Sequence, residues 1–171
     1  YINDVLLPGF VHSELISITP INWSETEESY HGNVNDNDMV ITKKDLEEKL
    51  FHSREGLVIR TLPNTKEKLT QKYNASNTAF FTTDAIIFLN NLGVKHLVVD
   101  TPSIDRTNDN GMLGNHHRYF EINPPFKKTI TELAFIPDSL DDGSYFMVIE
   151  IPPMQLDAAP SRPFLFKFEE K

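Results

Sequence analysis

The segment 94–100 (VKHLVVD) constrains the fold more than any other part of the chain. Its Leu-Val-Val run contains no polar residue, which is typical of a strand that is buried on both faces. A helix is predicted just before it, over 83–93, because apolar residues recur at helical spacing and Gly93 supplies a stop signal. A further buried strand is predicted over 56–61 (GLVIRT). This strand, helix and strand order indicates a buried sheet with helical connections.

The flanking segments extend this arrangement. We expect a strand over 12–19, a polar loop over 22–38, and a short helix over 43–50 that Thr42 caps together with Asp45. Three β-rich runs follow at 129–136, 145–151 and 163–168, and Asp142-Gly143 is a turn signal between the first two. Strands segregated after an α/β portion favour a mixed β-sheet with flanking helices, in one α/β domain that spans residues 1–171.

Composition excludes several classes of function. The chain has 171 residues, a formal net charge of −9 and no block of Lys or Arg, which argues against nucleic acid or an anionic membrane surface as a partner. It contains no cysteine, so disulfides, thiolate metal sites and a cysteine nucleophile are excluded. It shows no signal-like stretch, and we expect it to be cytoplasmic.

Glu132 is the most informative single residue. If 129–136 is one strand, its period of two places Glu132 in a row with Ile130, Ala134 and Ile136. A carboxylate buried there without a partner costs several kcal/mol, so it is protonated, paired with a cation or bound to a metal. The alternative is a strand near an edge whose Glu132 face is solvated.

Two adjacent imidazoles, His116 and His117, follow the turn-forming Asp109-Asn110-Gly111. Imidazole and carboxylate ligands together suit Zn²⁺ or Mn²⁺, so these histidines and Glu132 are candidate metal ligands. Two ligands do not make a site, and a His-His pair on a polar loop is usually solvated surface.

The segment 100–106 (DTPSIDR) comes directly after the strand that is predicted to be buried, at the end where open α/β sheets place their sites. Asp100, Ser103 and Asp105 are its polar candidates. Ser103 lacks the flanking glycines of a nucleophile elbow, which argues against a serine hydrolase. The alternative is that Asp100 and Ser103 cap the next turn.

These landmarks together resemble one family. The ordered set comprises 98–105 (VVDTPSID), His116-His117, 131–133 (TEL), 137–143 (PDSLDDG) and 157–163 (DAAPSRP). It is similar to the cyclase-type metal-dependent hydrolases, which include bacterial kynurenine formamidase, and the likeness runs from about residue 1 to 166. The resemblance implies the swivelling β/β/α fold of that family.

The resemblance also implies a function. Family members use zinc or manganese to activate water against a small amide, ester or lactone, and arylformamidase is one of several possible specificities. In this sequence the family's later metal ligands match Glu132 and His116, with His117 as the alternative, because the stretch 123–128 lengthens the gap between them. Asp100, Ser103 and Asp105 would not bind the metal themselves but would shape the site and hold the ligands in place.

One departure from the family bears on activity. No Gly-Thr-His occurs in the chain, and residues 1–6 resemble the segment that comes after this signature in family members. The resemblance therefore implies that the catalytic residues and most ligands lie upstream of Tyr1, and that the chain has no catalytic residue of its own. The rival hypothesis is a non-catalytic binding or scaffold protein that retains the fold.

Self-association is the last expectation. Family members commonly form homo-oligomers, and a row of aromatic residues near the C-terminus, Phe164, Phe166 and Phe168, suits either an interface or the core.

Overall fold

The computed structural model describes residues 2, 9–50, 52–74, 77–120 and 128–168. A six-stranded mixed sheet organises them, in the strand order β7-β6-β4-β1-β8-β9. Its strands are β1 (Val11–Ile18), β4 (Gly56–Thr61), β6 (His96–Val99), β7 (Thr129–Thr131), β8 (Gly143–Glu150) and β9 (Arg162–Lys167). A smaller sheet holds β2 (Ile21–Asn22), β3 (Met39–Ile41) and β5 (Phe80–Phe81), in the order β2-β3-β5. The mixed α/β architecture predicted from the sequence is confirmed.

The large sheet has a parallel half and an antiparallel half. Strands β1, β4, β6 and β7 are parallel to their neighbours, whereas β8 runs antiparallel to both β1 and β9. All six residues of β4 and all four of β6 are buried, which explains their unbroken apolar sequences. Side chains of Leu57 and Leu97 belong to the apolar cluster shared with the helices, and Val58 and Val98 belong to a second cluster that includes residues of β8.

The two predicted helices begin at the residues that the sequence indicates. In α1 (Lys43–Lys49) the Thr42 side chain accepts from the Asp45 amide, and the Asp45 side chain accepts from the Thr42 amide. In α2 (Thr83–Asn91) Thr82 is the N-cap, and Gly93 follows the helix with φ of +83°. A third helix, α3 (Gly114–Phe120), carries His116 and His117.

The predicted strand over 129–136 is too long. Strand β7 ends at Thr131, and Leu133 has φ of +57°, a left-handed conformation outside the extended range of a regular strand. The amides of Leu133 and Ala134 instead donate to the carbonyls of Thr101 and Val99. Glu132 therefore does not lie in a strand row with Ala134 and Ile136, because hydrogen bonds to the segment after β6 override the local β propensity.

The turn at Asp142-Gly143 does not join neighbouring strands. Three strands separate β7 from β8 in the sheet, so the segment between them crosses from one side of the sheet to the other. Two other expectations, for residues 1–6 and for 123–128, fall outside the described residues except at Ile2 and Lys128.

The C-terminal aromatic row is not core. Phe166 and Phe168 are exposed, and they form edge or tilted ring contacts with three other exposed rings, Phe10, His12 and Phe146. Self-association through this cluster stays a prediction. Within the described ranges, no helix combines the length and the hydropathy needed to cross a membrane.

Arg60 joins the two halves of the large sheet. Its guanidinium lies on β4 and is almost fully buried; it donates to Ser17 Oγ, to the carbonyls of Pro137 and Leu140, and to Asp142 Oδ1 at 3.1 Å. Four acceptors from two distant segments are thus satisfied by one side chain.

We predict that Arg60→Met lowers the free energy of unfolding by about 3 kcal/mol, because it removes all four hydrogen bonds that the buried guanidinium makes. Chemical denaturation measures the change. Arg118→Met is the matched control: Arg118 is exposed, and its variant should differ from the parent by less than about 0.5 kcal/mol. Equal stabilities of the two variants would contradict the role given to Arg60.

Candidate metal centre

Polar residues gather where the parallel strands end. Thr61 ends β4, Asp100 follows β6, and Glu132 follows β7, so these three lie along one edge of the parallel half. The carboxyl ends of parallel strands are the usual position of ligand sites in α/β sheets. The segment 100–105 runs along this edge and leads into α3.

Asp105 is the buried centre of this region, with a side chain only 1% exposed. Its carboxylate accepts hydrogen bonds from the backbone amides of Asn115 and His116, from His116 Nδ1 at 2.8 Å, and from the Tyr30 hydroxyl at 3.2 Å. Burial alone would raise the pKa of Asp105, but these hydrogen bonds and the His116 imidazole hold it below its ordinary value. The carboxylate is therefore ionised and anchors the first turn of α3.

His116 lies between two carboxylates. Its Nδ1 contacts Asp105, and its Nε2 lies 3.4 Å from Glu132 Oε1, which also accepts from the Ile104 amide at 2.9 Å. Burial opposes the charged imidazolium, yet Asp105 and Glu132 outweigh it and raise the pKa of His116 to about 9. Without a metal, His116 is thus a cation at neutral pH.

The same geometry fits a divalent metal. When Nδ1 is fixed by a carboxylate, Nε2 is left as the ligand atom, which is the usual arrangement around metal-bound histidine. Two ligands each about 2.1 Å from a tetrahedral zinc lie about 3.4 Å apart. The observed separation of His116 Nε2 and Glu132 Oε1 is 3.4 Å, so the pair matches in both chemistry and spacing.

A second group of ligand types adjoins the first. Nε2 of His31 lies 3.6 Å from Asp105 Oδ1 and 3.9 Å from Asp109 Oδ2, and the three side chains are suited to a metal ion. The Gly114 amide already donates to His31 Nε2, so this nitrogen can bind a metal only after that hydrogen bond is broken, and a Cβ at Gly114 would overlap the imidazole. Sequence reasoning missed His31, because nothing in the polar loop 22–38 relates it to partners so distant in the chain.

The remaining predicted residues are placed differently. His117 is exposed, and among the described residues its side chain makes no hydrogen bond. Ser103 Oγ accepts from the Asp105 amide, as a local turn residue does. Asp100 contacts Thr61 and Lys68 rather than either histidine. The structure thus brings His116, Glu132 and Asp105 together; the metal-binding roles of all the predicted residues stay predictions.

The chain was compared with protein families, curated proteins and solved structures. No protein-family model matches the sequence, and no curated protein matches it. Among solved structures, it is similar to a predicted metal-dependent hydrolase from Bacillus stearothermophilus, with 19% identity and a TM-score of 0.60 over 91% of this chain and 63% of that one. A potential metal-dependent hydrolase with cyclase activity gives 21% identity and a TM-score of 0.61, over 99% of this chain and 69% of the other.

An isatin hydrolase bound to thioisatinate, a product analogue, is a third similar structure, with 14% identity and a TM-score of 0.56 over 89% of this chain and 58% of that one. The chain therefore spans 58% to 69% of the length of these structures. At these identities the likeness shows the fold alone, which this chain shares with all three structures.

We predict that His116 in the metal-free chain titrates near pH 9 and that Glu132→Gln lowers this pKa, because one of its two carboxylates is lost. Nuclear magnetic resonance of the imidazole protons measures the value. Glu150→Gln, at an exposed glutamate, is the matched control and should leave it unchanged. An unaltered His116 pKa in Glu132→Gln would contradict the pairing.

The free energy of unfolding should depend on pH through the same titration of His116. A histidine whose pKa is raised on folding stabilises the protein fully below its unfolded pKa, near 6.5, and that contribution is lost as pH rises through about 9. Over this range the free energy of unfolding should fall by ~3 kcal/mol more for the metal-free parent than for His116→Gln. Denaturation at pH 6 and pH 9.5 checks the difference.

Proposed function

We propose that this chain contributes to the site of a metal-dependent hydrolase, with His116 and Glu132 as ligands of zinc or manganese. The observation that carries the proposal is the separation of His116 Nε2 and Glu132 Oε1, 3.4 Å, with Nδ1 already bonded to the buried Asp105. The fold shared with an isatin hydrolase and with two structures described as predicted or potential metal-dependent hydrolases supports it. The proposed substrate is a small molecule with an amide, ester or lactone bond.

Each residue has a defined part in this proposal. His116 and Glu132 would hold a divalent metal there, and the chemistry it would supply is a water of lowered pKa and polarisation of the scissile carbonyl. Asp105 orients the imidazole and keeps Nε2 towards Glu132, while the Ile104 amide fixes the Glu132 carboxylate. His116 must lose its proton to become a ligand, so metal affinity should increase as pH rises towards 9.

A second candidate is a non-catalytic binding or scaffold protein with the same fold. The observation that favours it is that His116 is fully paired as a cation, with a carboxylate at each ring nitrogen. In that case His116, Asp105 and Glu132 form a structural ion-pair network that needs no metal. Metal binding by His116 distinguishes the two candidates.

We predict that Mn²⁺, added to the 171-residue chain at pH 8, selectively broadens the nuclear magnetic resonance signals of His116 and Glu132. Two protein ligands are fewer than the three of a catalytic zinc, so binding should be weak and hydrolysis by this chain slight. Glu132→Gln should weaken binding about tenfold or more, whereas His117→Ala should leave it unchanged.

Other outcomes are informative. Broadening that centres on His31 and Asp109, and that disappears in Asp109→Asn, would assign the metal to the neighbouring group instead. No selective broadening at any histidine would contradict the metal role and favour the scaffold function. Tight stoichiometric zinc binding, measured by calorimetry, would indicate ligands beyond His116 and Glu132.

Catalysis is tested with a panel of formamides, esters and lactones, in a form of the protein that hydrolyses at least one of them. Glu132→Ala should lower turnover by about a hundredfold or more at ordinary metal concentration, because it removes a ligand, and excess Zn²⁺ or Mn²⁺ should restore part of it. His12→Ala is the control, since His12 lies in the exposed aromatic cluster on β1. Wild-type turnover by Glu132→Ala on every accepted substrate would contradict the ligand role.

A further inference from the structure

Strand β7 is at one end of the large sheet, and its outer side carries unpaired backbone groups. The Thr129 amide donates to the carbonyl of Lys95, so the N–H and C=O of Thr129 point towards β6. Because successive residues of a strand point these groups to opposite sides, those of Ile130 point away from the sheet. Within the described part of the chain they have no hydrogen-bond partner. A strand edge of this kind is a template for another extended chain.

A pocket of about 340 Å³ lies along this outer edge. All three residues of β7 line it on one side, residues of the segment 157–161 line it on another, and the ring of Phe120 also borders it. Phe120 is 48% exposed and Ile130 is half-buried, so both are accessible from the pocket. Pockets that bind small molecules begin at about 300 Å³, so this one has room for one small molecule.

The pocket adjoins the candidate metal centre. The Phe120 ring lies one helical turn after His116 on α3, and the centroids of the two rings are 6.5 Å apart. At its carboxyl end β7 leads directly into Glu132. A molecule bound along β7 therefore ends beside the imidazole and the carboxylate that are the proposed metal ligands.

The direction of the Ile130 side chain decides where a ligand's side chain would lie. In an antiparallel pair, two directly opposed residues exchange both backbone hydrogen bonds and place their side chains on the same face. The Ile130 side chain packs on the apolar cluster shared with the helices, which also contains Tyr119, the residue before Phe120. A ligand residue opposite Ile130 therefore directs its side chain to the helix face, where Phe120 lies.

We propose that the outer edge of β7 binds a small peptide-like amide in an extended conformation. Its N–H and C=O pair with the C=O and N–H of Ile130, and its apolar side chain packs on Phe120. Binding itself is independent of the metal. That the bound molecule is the substrate rests on the proposed function, and this extension names the substrates as compounds with a further amide group besides the bond that is hydrolysed.

Binding is tested with N-acetylphenylalanine N-methylamide, a probe with two secondary amides. The probe is uncharged, because the charged residues among the described lining, Lys128 and Asp157, have opposite signs. Amide signals of the 171-residue chain are recorded by nuclear magnetic resonance, with chelator present to remove metal. We expect a saturable downfield shift of the Ile130 amide at millimolar probe, and a smaller shift of the Thr129 amide, which already donates to Lys95.

A change in the probe isolates the backbone pairing. The comparator carries a methyl group on the phenylalanine nitrogen, so it lacks the N–H that donates to the Ile130 carbonyl. We expect the comparator to bind about fivefold more weakly than the probe, which is the usual effect of one lost hydrogen bond.

Two substitutions locate the side-chain contact. Phe120→Ala should weaken probe binding about fivefold, because a contact between two aromatic rings is lost. Phe166→Ala is the matched control: Phe166 is 49% exposed and lies on β9, at the other end of the sheet, so this variant should bind as the parent does. N-acetylglycine N-methylamide has no side chain and should bind equally to the parent and to Phe120→Ala.

The outcomes separate this inference from the metal proposal. No saturable shift of the Ile130 amide, equal binding of the probe and the comparator, or equal losses in Phe120→Ala and Phe166→Ala would each overturn it. An Ile130 shift that depends on protein concentration without probe would assign the edge to a second copy of the chain and overturn the small-molecule ligand.

Probe binding without Mn²⁺ broadening at His116 would support the binding edge and contradict the metal centre. Broadening without probe binding would support the metal centre and overturn the binding edge.

Discussion

The buried carboxylate of Asp105 is the interaction on which the rest of the site depends. It receives hydrogen bonds from the Tyr30 hydroxyl, from two amides at the start of α3, and from His116 Nδ1. One ionised group therefore holds together the loop 22–38, the segment after β6 and α3. In a poorly solvated place such a charge persists only when its hydrogen bonds are complete, so loss of any one of these segments would disturb the others.

The electrostatics of His116 follow from this arrangement. The imidazole is held between Asp105 and Glu132, which stabilise its positive charge more than burial opposes it. The property that makes the site suited to a divalent metal, two carboxylates around an oriented imidazole, also makes it stable as an ion pair without one. Whether the protein acts as a hydrolase or as a scaffold therefore depends on whether Nε2 of His116 binds a metal ion or a proton.

The parallel half of the sheet places two polar regions on one edge. Asp100 and Glu132 follow adjacent strands, β6 and β7, yet they face different partners: Asp100 pairs with Lys68, and Glu132 with His116. The left-handed turn at Leu133 ties the two together through the Thr101 carbonyl.

Local patterns in the sequence were sufficient to predict the buried strands β4 and β6, the N-cap of α1 and the Gly93 stop after α2, because spacing and capping depend on near neighbours. The strand row that singled out Glu132 is absent from the structure, and the match of His116 or His117 and Glu132 to metal ligands came from the family resemblance. Local patterns also identified Asp105 as a polar candidate. The tertiary structure was needed to show that β7 stops at Thr131, that His116 rather than the exposed His117 meets Glu132, and that His31 joins the group. These outcomes depend on hydrogen bonds between segments far apart in the chain, which no local pattern encodes.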